Sequence, residues 1–219
     1  MLADEGRDGT RGGLRERKKQ ATREALTLAA VRLASERGLE NVRNEDIAAE
    51  AGVSPRTFSN YFSSKYEALA ARNIDRARQA ADTLRSRPEG EPLWDALIEA
   101  TLSPLAGAER AHRAPEPDVL ARLRRMSDAP ALLGEALKTG LAADSELAAA
   151  IAERTGTDVD RDLYPRLAAA AVTSAVHVAT DRWLRADPPV PLVPLLVQAL
   201  RQLAAGLPDP STDPGAAAP

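Results

Sequence analysis

The stretch from residue 47 to residue 65 constrains the fold of this chain most, because it predicts two short helices joined by a tight turn. Gly52 stands where the first helix must end, since glycine adopts the left-handed C-terminal conformation without a Cβ penalty. Ser54 follows as a good N-cap, and Pro55 takes the first helical position, where a backbone N–H is not needed. The pattern therefore predicts a helix, a glycine turn and a second helix.

The second of these helices has two different sides. Phe58 and Phe62 are four residues apart and point to the same side, which predicts that they anchor the helix to a core. The opposite side carries groups that can reach phosphates or base edges, from Arg56, Thr57, Asn60 and Tyr61. A short helix of this kind, set across a glycine turn from a helix of small residues, fits the major groove of DNA.

Short sequence matches extend on both sides of this stretch. They are TREAL at 22–26, ERG at 36–38, IA at 47–48, AGVS at 51–54, TF at 57–58, YF at 61–62 and SK at 64–65. Together they resemble the DNA-binding domain of the tetracycline-repressor (TetR) family of one-component transcriptional regulators. The resemblance covers residues 15–65, and the combination is specific although each match alone is weak.

The resemblance implies an all-α protein of two domains. A helix-turn-helix DNA-binding domain would occupy residues 14–65, a linking helix residues 64–85, and an effector-binding and dimerisation domain residues 86–207. Residues 1–13 are rich in glycine and charge, and residues 208–219 in proline, alanine and glycine. Both terminal segments are expected to be disordered.

The resemblance also implies contacts with the DNA backbone. Tyr61 and Lys65 match family positions that contact operator phosphates; the alternatives are a packing role for Tyr61 and a solvated helix start for Lys65. Ser54 is first an N-cap, but a helix N-terminus also binds phosphate well. Ser54 and Pro55 therefore join the candidate DNA-binding residues.

Four places depart from the family pattern. Arg43 and Asn44 stand where the first of the two short helices usually opens with threonine and an apolar residue. Asn44 can cap this helix instead. Both residues are candidates for contacts with the DNA backbone. Ser59 replaces a common bulky aromatic residue, Asn60 a common arginine or histidine, and Ser63 a usual proline. These departures leave the operator sequence and the base contacts open.

The formal net charge of the chain is −3, so a DNA-binding surface needs its positive charge concentrated. Residues 1–65 contain 12 Lys and Arg against 10 Asp and Glu, and the remainder, from totals of 29 and 32, contains 17 against 22. Positive charge is densest at Arg15, Arg17, Lys18 and Lys19. We expect a basic arm here that contacts phosphates or the minor groove, and the alternative is a solvated charge run.

Helical periodicity and Pro/Gly breaks predict ten helices and no strand. They cover about residues 15–37, 45–51, 55–61, 64–85, 93–106, 118–127, 131–141, 145–155, 160–186 and 191–206. No run of about 20 apolar residues predicts a membrane span. The N-terminus lacks a hydrophobic signal core, so a cytoplasmic protein is expected.

The last two predicted helices are apolar on more than one face, which is unusual for the surface of a monomer. In the resembled family this pair forms a four-helix bundle across a two-fold axis, which places two recognition helices one DNA turn apart. The predicted interface residues are Val172, Val176, Leu192, Leu196 and Leu200.

Aromatic and polar candidates for an effector site are few in the second domain. They are Trp94, Tyr164, Thr173, His177 and Trp183. Core or interface packing is the alternative for the aromatic residues and for His177. Because the available lining is mostly Leu, Ala and Val, a lipophilic effector such as an acyl chain, a drug or a polyketide is favoured.

The sequence gives little support to an enzymatic function. The chain has no cysteine, which excludes disulfides and cysteine catalysis, and His112 and His177 are isolated from any metal-ligand spacing. No phosphate-binding glycine loop or nucleophile elbow is present. We expect a ligand-responsive repressor without cofactor or metal; an activator or global regulator with the same DNA-binding domain, and a helical protein-interaction module, remain alternatives.

Overall fold

The computed structural model describes residues 8–106 and 109–207. Within these residues the chain is built of α-helices and short 3₁₀ turns without a strand, which confirms the all-α prediction. The helices are α1 (Asp8–Arg37), α2 (Asn44–Glu50), α3 (Pro55–Tyr61), α4 (Lys65–Ser86), α5 (Leu93–Leu102), α6 (Pro117–Ser127), α7 (Pro130–Thr155), α8 (Leu163–Arg185) and α9 (Leu192–Ala204). The segments 1–7 and 208–219, for which disorder was predicted, lie outside the described residues.

Two helix predictions are corrected. Residues 8–13 belong to α1 and are not a disordered arm; Gly12 and Gly13 each lower helix stability by about 1 kcal/mol, which weakens a helix but does not end it as proline would. Residues 130–155 form one helix, where two had been predicted. Gly140 has no positive φ, so the chain continues through it in helical conformation.

The chain divides into two compact units. The head contains Met1–Arg72 and Met126–Ala136, and the body contains Asn73–Arg125 and Leu137–Pro219. Met126, Ala129 and Leu132 pack against the core of the head. The predicted boundary near residue 86 did not anticipate this contribution from the middle of the chain.

The core of the head is formed by α1, α2, α3 and the start of α4. Its largest buried side chains are Leu26, Leu33, Ile47, Phe58 and Phe62. Arg32 of α1 donates to Glu50 at the end of α2 at 2.6 Å. This packing fixes the positions of α2 and α3, which carry most of the candidate DNA contacts.

The body has its own core, built from α5, α7, α8, α9 and the C-terminal part of α4. Two ion pairs join α4 to α7, from Arg78 Nε to Glu146 Oε1 at 2.8 Å and from Arg85 Nε to Glu153 Oε2 at 2.7 Å. Because both partners advance by seven residues, the two helices run parallel here. Arg154 adds hydrogen bonds to backbone carbonyl oxygens at the end of α4 and in the following turn.

Candidate nucleic-acid interface

The turn between α2 and α3 has the geometry that its sequence predicts. Gly52 adopts a φ of 69°, and the N–H of Val53 donates to the carbonyl oxygen of Ala48 at 2.9 Å, which closes the end of α2. The Ser54 hydroxyl oxygen accepts from the N–H of Thr57 at 3.1 Å and caps α3. The direction in which α3 leaves the turn is therefore set by short-range contacts.

The inner side of α3 is held by aromatic side chains. Phe58 and Phe62 are buried, with ring centroids 6.0 Å apart. Ile47 of α2 is buried in the same core. From α1, the guanidinium carbon of Arg23 lies 4.7 Å from the centroid of the Phe62 ring, a cation–π contact. Helix α3 is thus anchored to both α1 and α2.

The outer side of α3 is open to solvent. Arg56, Ser59 and Asn60 are exposed, as is Pro55 at the start of the helix. Thr57 is half-buried, and its hydroxyl lies within hydrogen-bond distance of the Ser54 hydroxyl, 2.9 Å away. The exposed side chains can therefore reach base edges, whereas Thr57 also contributes to the cap.

Two predicted phosphate contacts have structural partners. Tyr61 is half-buried and packs against the core of the head. The ammonium group of Lys65 donates to the carbonyl oxygens of Leu39 at 2.7 Å and Val42 at 2.8 Å. Since an ammonium group has three donors, one remains for a phosphate. Lys65 therefore ties the start of α4 to the turn before α2, and its phosphate contact stays a prediction.

The start of α2 differs from the prediction. Arg43 is the N-cap and Asn44 is the first helical residue, so the prediction that Asn44 caps this helix is wrong. The reason is Asp46, whose carboxylate accepts the backbone N–H of Arg43 at 2.9 Å. Arg43 is exposed and Asn44 half-buried, so both remain candidates for contacts with the DNA backbone.

The basic residues near the N-terminus lie on a helix. Arg15, Arg17, Lys18 and Lys19 are all exposed on α1, which begins at Asp8 and not near residue 15 as predicted. A helix with its side chains is about 10–12 Å across and cannot itself enter a minor groove of about 6 Å, although single side chains can reach into it. The contact of these residues with phosphates or with the minor groove stays a prediction.

Sequence reasoning missed two features of this surface. Ser59 is exposed beside Arg56 and Asn60 on α3. Its position one helical turn after Pro55 would have predicted that it lies on the outer side of this helix. The N–H and hydroxyl of Ser63 both donate to Glu67 at 2.7 Å, while the Glu67 N–H donates to Ser64 Oγ at 3.2 Å. This reciprocal cap fixes the start of α4 directly after α3.

The candidate effector residues lie in different environments. Tyr164 and His177 are exposed on α8, so neither lines the interior of the body as an internal pocket would require. Trp94, Thr173 and Trp183 are half-buried, and Trp94 packs against the body core. Of the five candidates, only these three are buried enough to line an enclosed effector site.

Most of the predicted dimer residues belong to the core of the body. Val172, Leu196 and Leu200 are buried within the subunit, so the prediction that they form the interface is wrong. The reason is that Val172 and Leu200 belong to the cluster of buried side chains in the body and that α8 and α9 pack on each other within the chain. Val176 and Leu192 are half-buried, and their place in an interface stays a prediction.

The geometry defines a class of domain. An α2 that buries Ile47 and Ala48, a glycine turn and a solvent-facing α3 form a helix-turn-helix, a motif that places its second helix in the major groove of DNA. Among the described residues, no three or more His, Asp or Glu side chains are grouped as a metal site. None of the helices in that part of the chain has the length and apolarity that a bilayer span requires.

Comparison with known proteins gives the family. Residues 26–71 match the model of bacterial regulatory proteins of the tetR family, and residues 91–208 match the MftR C-terminal domain. The chain is 35% identical over 180 residues to the HTH-type transcriptional regulator TcmR of Streptomyces glaucescens, across 80% of this chain and 79% of that protein. The chain belongs to the TetR family of transcriptional regulators, with a DNA-binding head and a C-terminal ligand-binding domain.

Solved structures share the fold. A TetR-family regulator from Syntrophomonas wolfei superposes with a TM-score of 0.56 at 19% identity, covering 87% of this chain and 98% of that one. FadR of Thermus thermophilus, a repressor solved with lauroyl-CoA, gives 0.51 at 22% identity, covering 88% and 99%. At such identities these likenesses concern the fold alone.

Proposed function

We propose that this protein is a repressor that binds a palindromic operator as a homodimer in the cytoplasm and releases it when a small effector binds to the body. The observation that supports DNA recognition most directly is the outer face of α3. Arg56 and Asn60 stand exposed there on a helix whose other side is anchored by buried aromatic rings. Anchoring matters because a side chain reads a base edge only from a fixed position.

Operator binding can be tested at Arg56. An arginine that contacts guanine with two hydrogen bonds discriminates by about 1–3 kcal/mol. With an operator duplex isolated from the genomic DNA that the wild-type protein selects, Arg56→Ala should therefore weaken binding and relax preference at one base pair, as measured by fluorescence anisotropy. Arg125→Ala, which removes an exposed arginine of the body, is the matched control. Equal affinities for the two variants would remove Arg56 from the contact set.

Dimerisation is supported by an apolar stripe along α8. Leu163, Leu167 and Val178 are 76%, 59% and 62% exposed; with exposed Ser174 between them, we call them the α8 stripe. At 100° per residue these four positions fall on one side of the helix, opposite buried Val172. A row of large apolar side chains on a subunit's surface indicates an interface. The occupant that we propose is the same stripe of a second copy.

The α8 stripe predicts a specific defect. Replacing Leu167 and Val178 together by Asp should leave the subunit folded, because neither side chain is in its core, but should prevent association. Light scattering should give the monomer mass, and operator binding should fall sharply because the two half-sites are no longer linked. Ala142→Asp, at an exposed position on α7, controls for an added surface charge. A stable dimer of the double variant would place the interface elsewhere.

The body supports a small effector that is mainly apolar but carries polar groups. Three of its side-chain atoms are buried without a hydrogen-bond partner among the described residues: Arg122 Nε, Asp144 Oδ1 and Trp183 Nε1. Buried polar atoms are usually satisfied because leaving one unpaired costs about 1–3 kcal/mol. A compound that carries hydrogen-bond acceptors could satisfy Arg122 Nε or Trp183 Nε1, and one that carries a donor could satisfy Asp144 Oδ1.

Effector binding can be followed through Trp183. The chain has two tryptophans, so Trp94→Phe leaves Trp183 as the single reporter. Saturable quenching by one class among acyl-CoA esters and hydroxylated aromatic polyketides would identify the effector class.

Release of DNA further requires that the effector prefer the protein conformation that does not bind DNA. A preference of about 5.5 kcal/mol shifts the population almost completely to that conformation. An operator–reporter strain with the gene deleted separates the roles: expression should rise for a repressor and fall for an activator.

A further inference from the structure

The N-terminal part of α1 extends beyond the core of the head. The helix is continuous from Asp8 to Arg37, but its buried positions begin at Leu26, and residues 15–19 are exposed. At 1.5 Å per residue, Arg15 lies about 16 Å along the axis from Leu26. Two to three turns of helix therefore carry charged side chains past the packed part of the domain.

Helical periodicity places these charged side chains on two different sides of α1. With 100° per residue, Arg15 and Lys19 continue the row that includes buried Leu26 and Leu33. Arg17 falls on the other side, in the row of Leu28, which is 51% exposed. The side of α1 that packs on α2 and α3 thus becomes, further toward the N-terminus, a basic side.

An independent contact fixes where this basic side faces. Arg23 follows Lys19 by four residues in the same row, and its guanidinium lies over the ring of Phe62. Phe62 is the C-cap of α3. The row Arg15, Lys19, Arg23 therefore approaches the C-terminal end of α3, and Lys18 lies at the edge of this row.

We propose that Arg15 and Lys19 form a second DNA contact, to backbone phosphates next to the half-site that α3 reads, and that Arg17 takes no part in it. This inference rests on the proposed operator binding. The occupant is DNA because the row is positive, adjoins the end of the recognition helix and is presented by a rigid helix. Double-stranded DNA offers one negative charge every ~1.7 Å of axis, so a phosphate lies within reach of each turn.

The test compares Arg15 with Arg17, two arginines of α1 that are two positions apart and lie on different sides of the helix. Full-length protein with Arg15→Gln, Lys19→Gln or Arg17→Gln is titrated with the operator duplex and with a scrambled duplex at several salt concentrations. Glutamine keeps helix propensity, and far-ultraviolet circular dichroism checks the fold. Each phosphate contact contributes about 0.9 to the log–log salt slope, so Arg15→Gln or Lys19→Gln should reduce the slope of a dimer by about 1.8, for both duplexes alike. Arg17→Gln should keep the wild-type slope.

The outcomes separate the inference from the function on which it rests. If Arg17→Gln reduces the slope as much as Arg15→Gln, the charges act as a diffuse field and the proposed contact is wrong. Unchanged slopes for Arg15→Gln and Lys19→Gln, with wild-type protein still preferring the operator, overturn the contact and leave operator binding intact. Wild-type protein that binds neither duplex would overturn both.

Discussion

The head and the body use their apolar side chains differently. In α3 of the head, both phenylalanines are buried and the opposite side is polar and exposed. In α8 of the body, Val172 is buried on one side while Leu167 is exposed on the other. A short helix with one apolar side can be oriented from its sequence, whereas a long helix with two apolar sides cannot. This difference explains why the exposed side of α3 was predicted from the sequence, whereas Val172 was assigned to an interface although it is buried within the subunit.

The strongest test of the comparison is whether α9 contributes core or interface. Leu200 is fully buried in the body, so Leu200→Ala should reduce the free energy of unfolding by about 2–5 kcal/mol. Leu141→Ala, at an exposed position, should change it by less than about 0.5 kcal/mol. Urea denaturation followed by tryptophan fluorescence measures both. A dissociated but stable Leu200→Ala protein would return this residue to the interface.

The head provides the next test, at Lys65. Lys65→Met keeps the length of the side chain but removes both hydrogen bonds to the carbonyl oxygens of Leu39 and Val42. Hydrogen bonds of charged groups contribute about 1.5–3 kcal/mol, so we expect the head to lose about 2–3 kcal/mol. Faster hydrogen exchange of amides in α3 would report this loss. The exposed Lys19, changed to Met, is the control, and unchanged exchange in Lys65→Met would leave only the phosphate role.

A smaller effect is expected at the cap of α3. Ser54→Ala removes the hydroxyl that accepts the Thr57 N–H, which should cost about 1 kcal/mol. Ser59→Ala on the same helix removes only a hydroxyl that bonds back to the carbonyl oxygen of Pro55, and should be close to neutral. Thermal denaturation of the two variants should therefore differ. Equal melting temperatures would show that the turn alone sets the direction of α3.

The smallest expected effect concerns a surface ion pair of the body. The hydrogen bond from Arg85 lowers the pKa of Glu153 below its ordinary 4.5, so the pair stabilises the folded state above that pH and loses this contribution as the pH falls through the folded-state pKa. Both side chains are well solvated, which limits the contribution to at most about 1 kcal/mol. The stability difference between wild type and Glu153→Gln should thus vanish in acid. A constant difference from pH 7 to pH 3 would contradict this.

The parts of the fold that follow short-range rules could be predicted. Gly52 and Ser54 predicted the turn and the start of α3 because each acts on neighbours within five residues. Lys65 could not be assigned its carbonyl partners in the same way, since these lie 23 and 26 residues earlier. The continuity of α7 through residues 142–144 escaped prediction because Ser145 suits the start of a new helix, whereas in the structure its hydroxyl donates to the carbonyl oxygen of Leu141 within one helix.

The candidate site residues divide in the same way, into those whose positions follow from local sequence patterns and those whose positions depend on packing. Periodicity alone placed Arg56 and Asn60 on the exposed side of α3, where the structure has them. Helical periodicity places Arg15 and Arg17 on two sides of α1, but the side that approaches α3 is set by the contact of Arg23 with Phe62, which lie far apart in the sequence. His177 was a candidate for an effector contact, with packing in the core or in an interface as the alternative; its exposure on α8 excludes the core of the subunit.

The helical extension of α1 has a consequence for the time that the protein takes to find its operator. Contacts to phosphates carry no sequence information, so a rigid basic row would hold the protein on any DNA as well as on its target. Such contacts raise the rate of first encounter and allow sliding along the duplex, while the ratio of specific to non-specific affinity stays with α3. If the protein is the repressor that we propose, loss of Arg15 should delay repression after effector withdrawal more than it changes which promoters are repressed.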